Sequence, residues 1–156
     1  MVLKQLKQKR GNVLILTAVF MTVFLFLFAF VIDIGSVYVA QSKLQQVADA
    51  TSTAGANAGA YGFWSGTGVK RAIVKPAEAN AAATKVLNEN KKYMGNITIT
   101  KWKTGATDYA DTKYMYYGAK YDVGVWGKVD TIIAQSLLGK KVFELYRASQ
   151  TTVTPQ

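Results

Sequence analysis

Three aspartates, Asp108, Asp111 and Asp122, are the residues of this chain whose type and spacing come nearest to a metal site. Carboxylate oxygens suit calcium, but a calcium loop of the EF-hand kind needs a glycine-spaced series of ligands. The stretch "KTGATDYADTK" has no such series and reads as a solvated acidic loop, so no metal or other cofactor is expected. "GTGVKR" is not a phosphate loop either, because no Gly-Lys-Ser/Thr follows its glycines. The chain has no His and no Cys, which removes imidazole acid–base chemistry, thiolate nucleophiles and thiolate metal sites. Nothing among its Ser, Lys and Tyr residues is arranged like a triad, and the expectation is a protein that is not an enzyme.

A second pattern could make contacts rather than reactions. Lys101, Lys103, Lys113, Lys120 and Lys128 interleave with Trp102, Tyr114, Tyr116, Tyr117 and Trp126. Rings to stack on and cations beside them suit a nucleic acid or an anionic surface polymer. The same pattern also describes a half-buried sheet with aromatic cross-strand pairs and lysines guarding its edges. Trp102, Tyr116, Tyr117, Lys120 and Trp126 are the candidate surface contacts.

The elements that carry these residues begin with a membrane segment. Val13–Ile32 is twenty residues without a charge and holds five of the seven Phe. That length matches the ~20 residues a helix needs to cross ~30 Å of hydrocarbon. It exceeds the ~7–15-residue core of a secretory signal peptide, so it reads as a retained anchor in contact with membrane lipid. Lys4, Lys7, Lys9 and Arg10 precede it, and the first charge after it is Asp33. By the positive-inside rule the N-terminus stays in the cytoplasm and residues 33–156 are exported. The exported part carries fifteen basic and nine acidic residues, a net charge of +6, and no cysteine to staple it.

The helical pattern continues past the membrane without a proline. Val37, Ala40, Leu44, Val47, Thr51, Ala54 and Ala58 alternate at spacings of three and four, a heptad seam of small knobs. Gly55 and Gly59 form a G-x-x-x-G pair near its end. Such a stripe can pack on its own globular domain or on a helix of another chain. A helix over residues 12–60 would be about 70 Å long at ~1.5 Å per residue, which favours a partner helix. The rest reads as a compact head. Gly59–Gly68 is expected to turn out of the helix, and a second helix to run from Pro76 to about Met94, closed by Gly95. Strands are expected at "NITITKW", at "YMYYGAKYDVGVWGKV" and from about Lys141 to Val153, with a short helix from Thr131 to Leu138 capped by Asp130. The fold class is therefore α+β. A leader over residues 1–11 precedes a transmembrane and stalk helix over 12–60, and residues 61–156 form a head with a three-stranded antiparallel sheet and two short helices. Turns, caps and strands over 70–156 are locally consistent, which predicts that this part folds without the helix.

Residues 31–60, "VIDIGSVYVAQSKLQQVADATSTAGANAGA", resemble the N-terminal motif of the TadE/TadG-like family of Flp (Tad) pilus-assembly proteins. The matching positions are Arg10-Gly11, the apolar span, Asp33 and Gly35, Tyr38, Leu44-Gln45, Ala48-Asp49-Ala50 and Gly55-Ala56. The chain departs at Val47 and Thr51-Ser52-Thr53, where the family is richer in alanine. The resemblance implies a pilin-like bacterial envelope protein. Prepilins of that broad class are cut after a glycine that follows basic residues, and Gly11 is so placed, with Asn12 as the new N-terminus. Their glutamate five residues into the mature chain is replaced here by Leu16, which suggests an uncleaved anchor. Two functions follow as expectations. One is a structural subunit or minor assembly component of a pilus, joined to itself or to other subunits through a seam comprising Asp33, Gly35, Val37, Ala40, Leu44, Val47, Ala48, Asp49, Thr51, Ala54 and Ala58. The other is a monomeric anchored module whose head captures polyanion or polysaccharide.

Overall fold

The computed structural model describes residues 2–64, 66, 68–111, 116–131 and 142–155, with side chains from Val13 onward except at 64, 109–111, 116 and 142. Its first element, α1 (Val2–Gly59), is 58 residues long. At ~1.5 Å per residue that is about 87 Å. Then follow β1 (Ala60–Trp64), β2 (Lys70–Val74), α2 (Pro76–Lys91), β3 (Ile97–Asp111), β4 (Tyr116–Asp130) and β5 (Val142–Val153).

The two halves of α1 have different surroundings. From Val13 to Ile32 nearly every side chain is exposed. Asp33 is 6% exposed, and from Ala40 onward one side of the helix is buried: Ala40, Leu44, Val47, Ala48, Thr51, Ser52, Gly55, Ala56 and Gly59. Those positions recur at three and four, a wide stripe facing a core. Ala40, Leu44, Val47, Ala48 and Ala56 among them join Ala79, Ala83 and Leu87 of α2 and Tyr121, Val123, Val125 and Val129 of β4 in one cluster. The helix that leaves the apolar segment is therefore the spine of the head. Where the sequence suggests a free stalk, the head already encloses one side of the chain.

The sheet corrects the expected strand count: it has five strands, not three. β4 is central, antiparallel to β3 on one side and to β5 on the other. β2 joins the β4 edge in parallel at Lys70–Tyr116 and Arg71–Tyr117, and β1 closes that side as an antiparallel partner of β2. The expected turn over Gly59–Gly68 is in part strand β1, because Tyr61 and Phe63 alternate around a glycine that masks the pattern and Lys70–Val74 supplies a partner. "KTGATDYADTK" is likewise mostly strand. β3 runs on to Asp111 because β4 offers partners along its whole length, despite Gly105 and Asp108. α2 starts at Pro76 as expected and ends at Lys91, earlier than Met94, with Gly95 (φ +63°) in the turn before β3. Of the short helix expected over Thr131–Leu138, Thr131 follows β4 as a buried, non-helical residue, and residues 132–138 lie outside the described residues.

Two glycines set how closely the layers meet. A methyl group on Gly55 would overlap the Tyr121 ring, and one on Gly59 would lie 2.8 Å from Ala79 Cβ and 2.9 Å from the Lys75 carbonyl oxygen. The G-x-x-x-G pair thus admits a tyrosine of β4 and the start of α2 against α1.

Candidate functional site

The seam residues divide by where the head begins. Ala40, Leu44, Val47, Ala48 and Thr51 are buried in the head, Asp33 is buried at its margin, and Val37 and Ala54 are half-buried. Gly35, Asp49 and Ala58 are exposed, and no atom lies within 4 Å of where a Gly35 methyl would stand. Gly11 and Asn12 are helical, with side chains outside the described set.

The motif that carries the family resemblance is largely a packing motif. Leu44, Ala48 and Ala56 are completely covered, and Asp49 accepts a hydrogen bond from Gln45 Nε2 at 2.9 Å on the exposed side. One departure from the family pattern has a structural reason. Ser52 Oγ donates to the Tyr121 carbonyl at 3.1 Å and lies 2.6 Å from Thr151 Oγ1, pinning α1 to two strands. Its neighbour Thr51 has a buried Oγ1 with no hydrogen-bond partner among the described residues. Farther up, Arg147 Nη2 donates to Gln41 Oε1 at 2.6 Å and Gln45 Nε2 to the Ala148 carbonyl at 3.3 Å, so β5 is tied along α1.

Tyr121 is the polar point of the core. Its hydroxyl donates to Asn80 Oδ1 at 2.8 Å, and Thr104 Oγ1 donates to the same oxygen at 2.9 Å. Burial pushes the Tyr121 hydroxyl above its ordinary value of 10.0, with a Thr104 hydrogen bond acting the other way.

The other face of the sheet carries no helix among the described elements and bears the aromatic and basic residues. Trp126 of β4 is registered with Tyr146 of β5, their ring centroids 4.6 Å apart and their planes tilted by 38°. Lys101 Nζ lies 5.4 Å from the Trp126 ring centre. Lys128 meets Glu144 at 3.1 Å, and Gln150 Nε2 donates to Asp122 Oδ1 at 2.6 Å. Of the candidate contacts, Trp126 is on this face, and Lys120 shares its alternation along β4. Trp102 is on the helix side, packed against the core beside Val125. The cause is a bulge between Ile99 and Lys101, which shifts the alternation by one residue and sends Lys101 outward and Trp102 inward. Tyr117 lies at the β2–β4 join under the Arg71 guanidinium, 4.6 Å from ring centre to Cζ, and the Tyr116 side chain is outside the described set. Tyr146 was not among the sequence candidates; the alternation of Glu144, Tyr146, Ala148 and Gln150 along β5 is the signal that places it here. Asp108 and Asp122 alternate to opposite faces, so they do not converge on a cation.

Among the described residues one helix, Val13–Gly59, is long and apolar enough to cross a bilayer, and its second half belongs to the α+β head. Residues 11–58, nearly the whole of α1, match the TadE/G-like Flp pilus-assembly family. No curated protein and no solved structure matches the chain.

Proposed function

We propose that this chain is a structural subunit or minor assembly component of a bacterial Tad/Flp-type pilus or surface filament. It is held by the span Val13–Ile32, with its N-terminus in the cytoplasm and its head outside. The observation that carries this reading is the coincidence of the pilus-assembly match with a helix bare over its first half. Bare apolar side chains such as Leu14 (72% exposed) and Ile32 (67%) need lipid or a neighbouring helix to cover them. Because the stripe from Ala40 onward is already committed to the head, and Asp33 and Val37 are covered, contact with other subunits runs through residues 13–32, the exposed side of 34–39 and the head's outer surface. The basic residues before the span, with none after it until Lys43, favour this orientation.

The absence of native cysteine makes this directly testable. Single cysteines placed along residues 13–39 in cells should give oxidative crosslinks, to a second copy or to another pilus component, recurring at three and four residues. Cysteine at Ala48 should give none. Uniform absence of crosslinks over 13–39 would remove the helix as an assembly surface. Protease added to spheroplasts should digest the head and spare the span; a protected head would overturn the orientation.

A further inference from the structure

We propose that the open face of the sheet holds a saccharide-binding site, centred on Trp126 and Tyr146, for a glycan that bears carboxylates. Gly105 and Gly124 leave the surface bare beside these rings, opening a hollow of about 190 Å³ bordered by Lys103, Asp122, Trp126 and Tyr146. A side chain at Gly124 would press on both rings, since a methyl there would stand 3.0 Å from the Tyr146 hydroxyl and 3.4 Å from the Trp126 ring. The core is on the opposite face, so the two rings contribute little to it. Tyr146 remains 49% exposed.

The polar groups decide the ligand class. An aromatic plane beside hydrogen-bonding groups suits a sugar ring, which presents a C–H face and hydroxyl edges. Asp122, held by Gln150 at 2.6 Å, keeps a carboxylate oriented at the hollow, where hydroxyls can donate to it. A phosphodiester has no donor to offer this carboxylate, whereas a sugar hydroxyl has, so a nucleic-acid strand fits less well. Cations line the β3 side: Lys101 sits over Trp126 and Lys103 borders the hollow. They can neutralise an acidic substituent on a sugar whose hydroxyls face Asp122. The exported region's net +6 attracts such a polymer over longer range. The site is independent of the pilus role and needs the head outside the cell only to meet its ligand.

The test is titration of the full chain in detergent micelles with oligogalacturonate, with an uncharged cello-oligosaccharide and oligo-dT in parallel, followed calorimetrically. Oligogalacturonate should bind best. Tyr146→Ala should weaken it by about tenfold, the order of one stacking contact. Lys103→Glu, at an exposed position, should weaken oligogalacturonate while leaving the uncharged oligomer unchanged, and Asp122→Asn should weaken both. Thermal unfolding of each variant confirms an intact head, and Lys103→Glu carries the test if Tyr146→Ala unfolds. Failure of both saccharides to bind, tighter binding of oligo-dT, or affinity indifferent to Lys103→Glu would each overturn the proposal.

Discussion

Val13–Val39 and Ala40–Gly59 belong to one unbroken helix, and their side chains differ in size as much as in surroundings. The first stretch shows Phe, Leu, Ile and Val on all sides, as a helix immersed in hydrocarbon does. The second concentrates Ala, Gly, Ser and Thr on one side, so that a sheet and a second helix can approach its backbone. Apart from Asp33 and Val37 at the end of the first stretch, only the second is covered by the rest of the chain. Small residues at helical spacing therefore mark close approach without saying to what. Here the approached surface is Tyr121 and α2.

The largest effect that would break this contrast is on folding of the head itself. A fragment beginning at residue 61 lacks Leu44, Ala48, Ser52 and Ala56, each completely buried in the full chain. It should give no cooperative unfolding transition, whereas a fragment beginning at residue 33 should give one. This replaces the expectation from sequence that residues 70–156 suffice. A sharp transition from the shorter fragment would mean that α1 merely rests on a self-sufficient sheet.

Matched glycine substitutions sharpen the comparison at single-residue scale. Gly55→Ala forces a methyl into the Tyr121 ring and should cost about 1–3 kcal/mol, the range for overpacking a core. Gly35→Ala meets nothing within 4 Å and should leave head stability unchanged or slightly improved through helix propensity. Denaturant unfolding of the two variants compares them directly. Equal stabilities would show that the helix can shift to relieve Tyr121.

The next pair lies within the buried half. Ser52→Ala removes a hydroxyl that bonds the Tyr121 carbonyl and Thr151, and should cost about 1–2 kcal/mol. Thr51→Ala removes a buried hydroxyl with no partner among the described residues and should be near neutral. A chemical-denaturation series on both would reveal the order. If Thr51→Ala is the more damaging, its hydroxyl has a bond that the packing does not suggest.

What the sequence disclosed, and what it hid, follows the same physics. The long apolar helix was legible because crossing a bilayer needs a set length of uncharged residues. The stripe was legible as a stripe, but its partner was not, since small residues serve an intermolecular seam and an intramolecular one equally well. β1 and the far half of β3 were obscured by Gly62, Gly105 and Asp108, whose poor strand propensity is overridden by a long partner strand. On the open face, Trp126 follows the alternation of β4, opposite the buried Tyr121, Val123, Val125 and Val129. No periodicity could have located Trp102, because one bulge at Ile99/Lys101 inverts everything after it.

The smallest effect concerns the proton on Tyr121. Its hydroxyl is held above the ordinary 10.0 by burial, against a Thr104 hydrogen bond that acts in the opposite sense. Well below pH 10 the tyrosine is protonated in both folded and unfolded chains and contributes no pH dependence. As pH rises further the unfolded chain releases this proton first, so the stabilisation is lost as pH climbs through the raised folded value. Tyr121→Phe removes the titration together with the bond to Asn80, which keeps Thr104 as a donor. The variant should be less stable at about pH 8, and the gap to the parent should narrow toward about pH 11. The two proteins share every other ionisable group, so those contributions cancel in the difference. Urea unfolding of the fragment beginning at residue 33, run at intervals across that window, measures the gap. A gap that stays constant would mean that the Tyr121 hydroxyl reaches water, and that α1 covers its ring without sealing the oxygen.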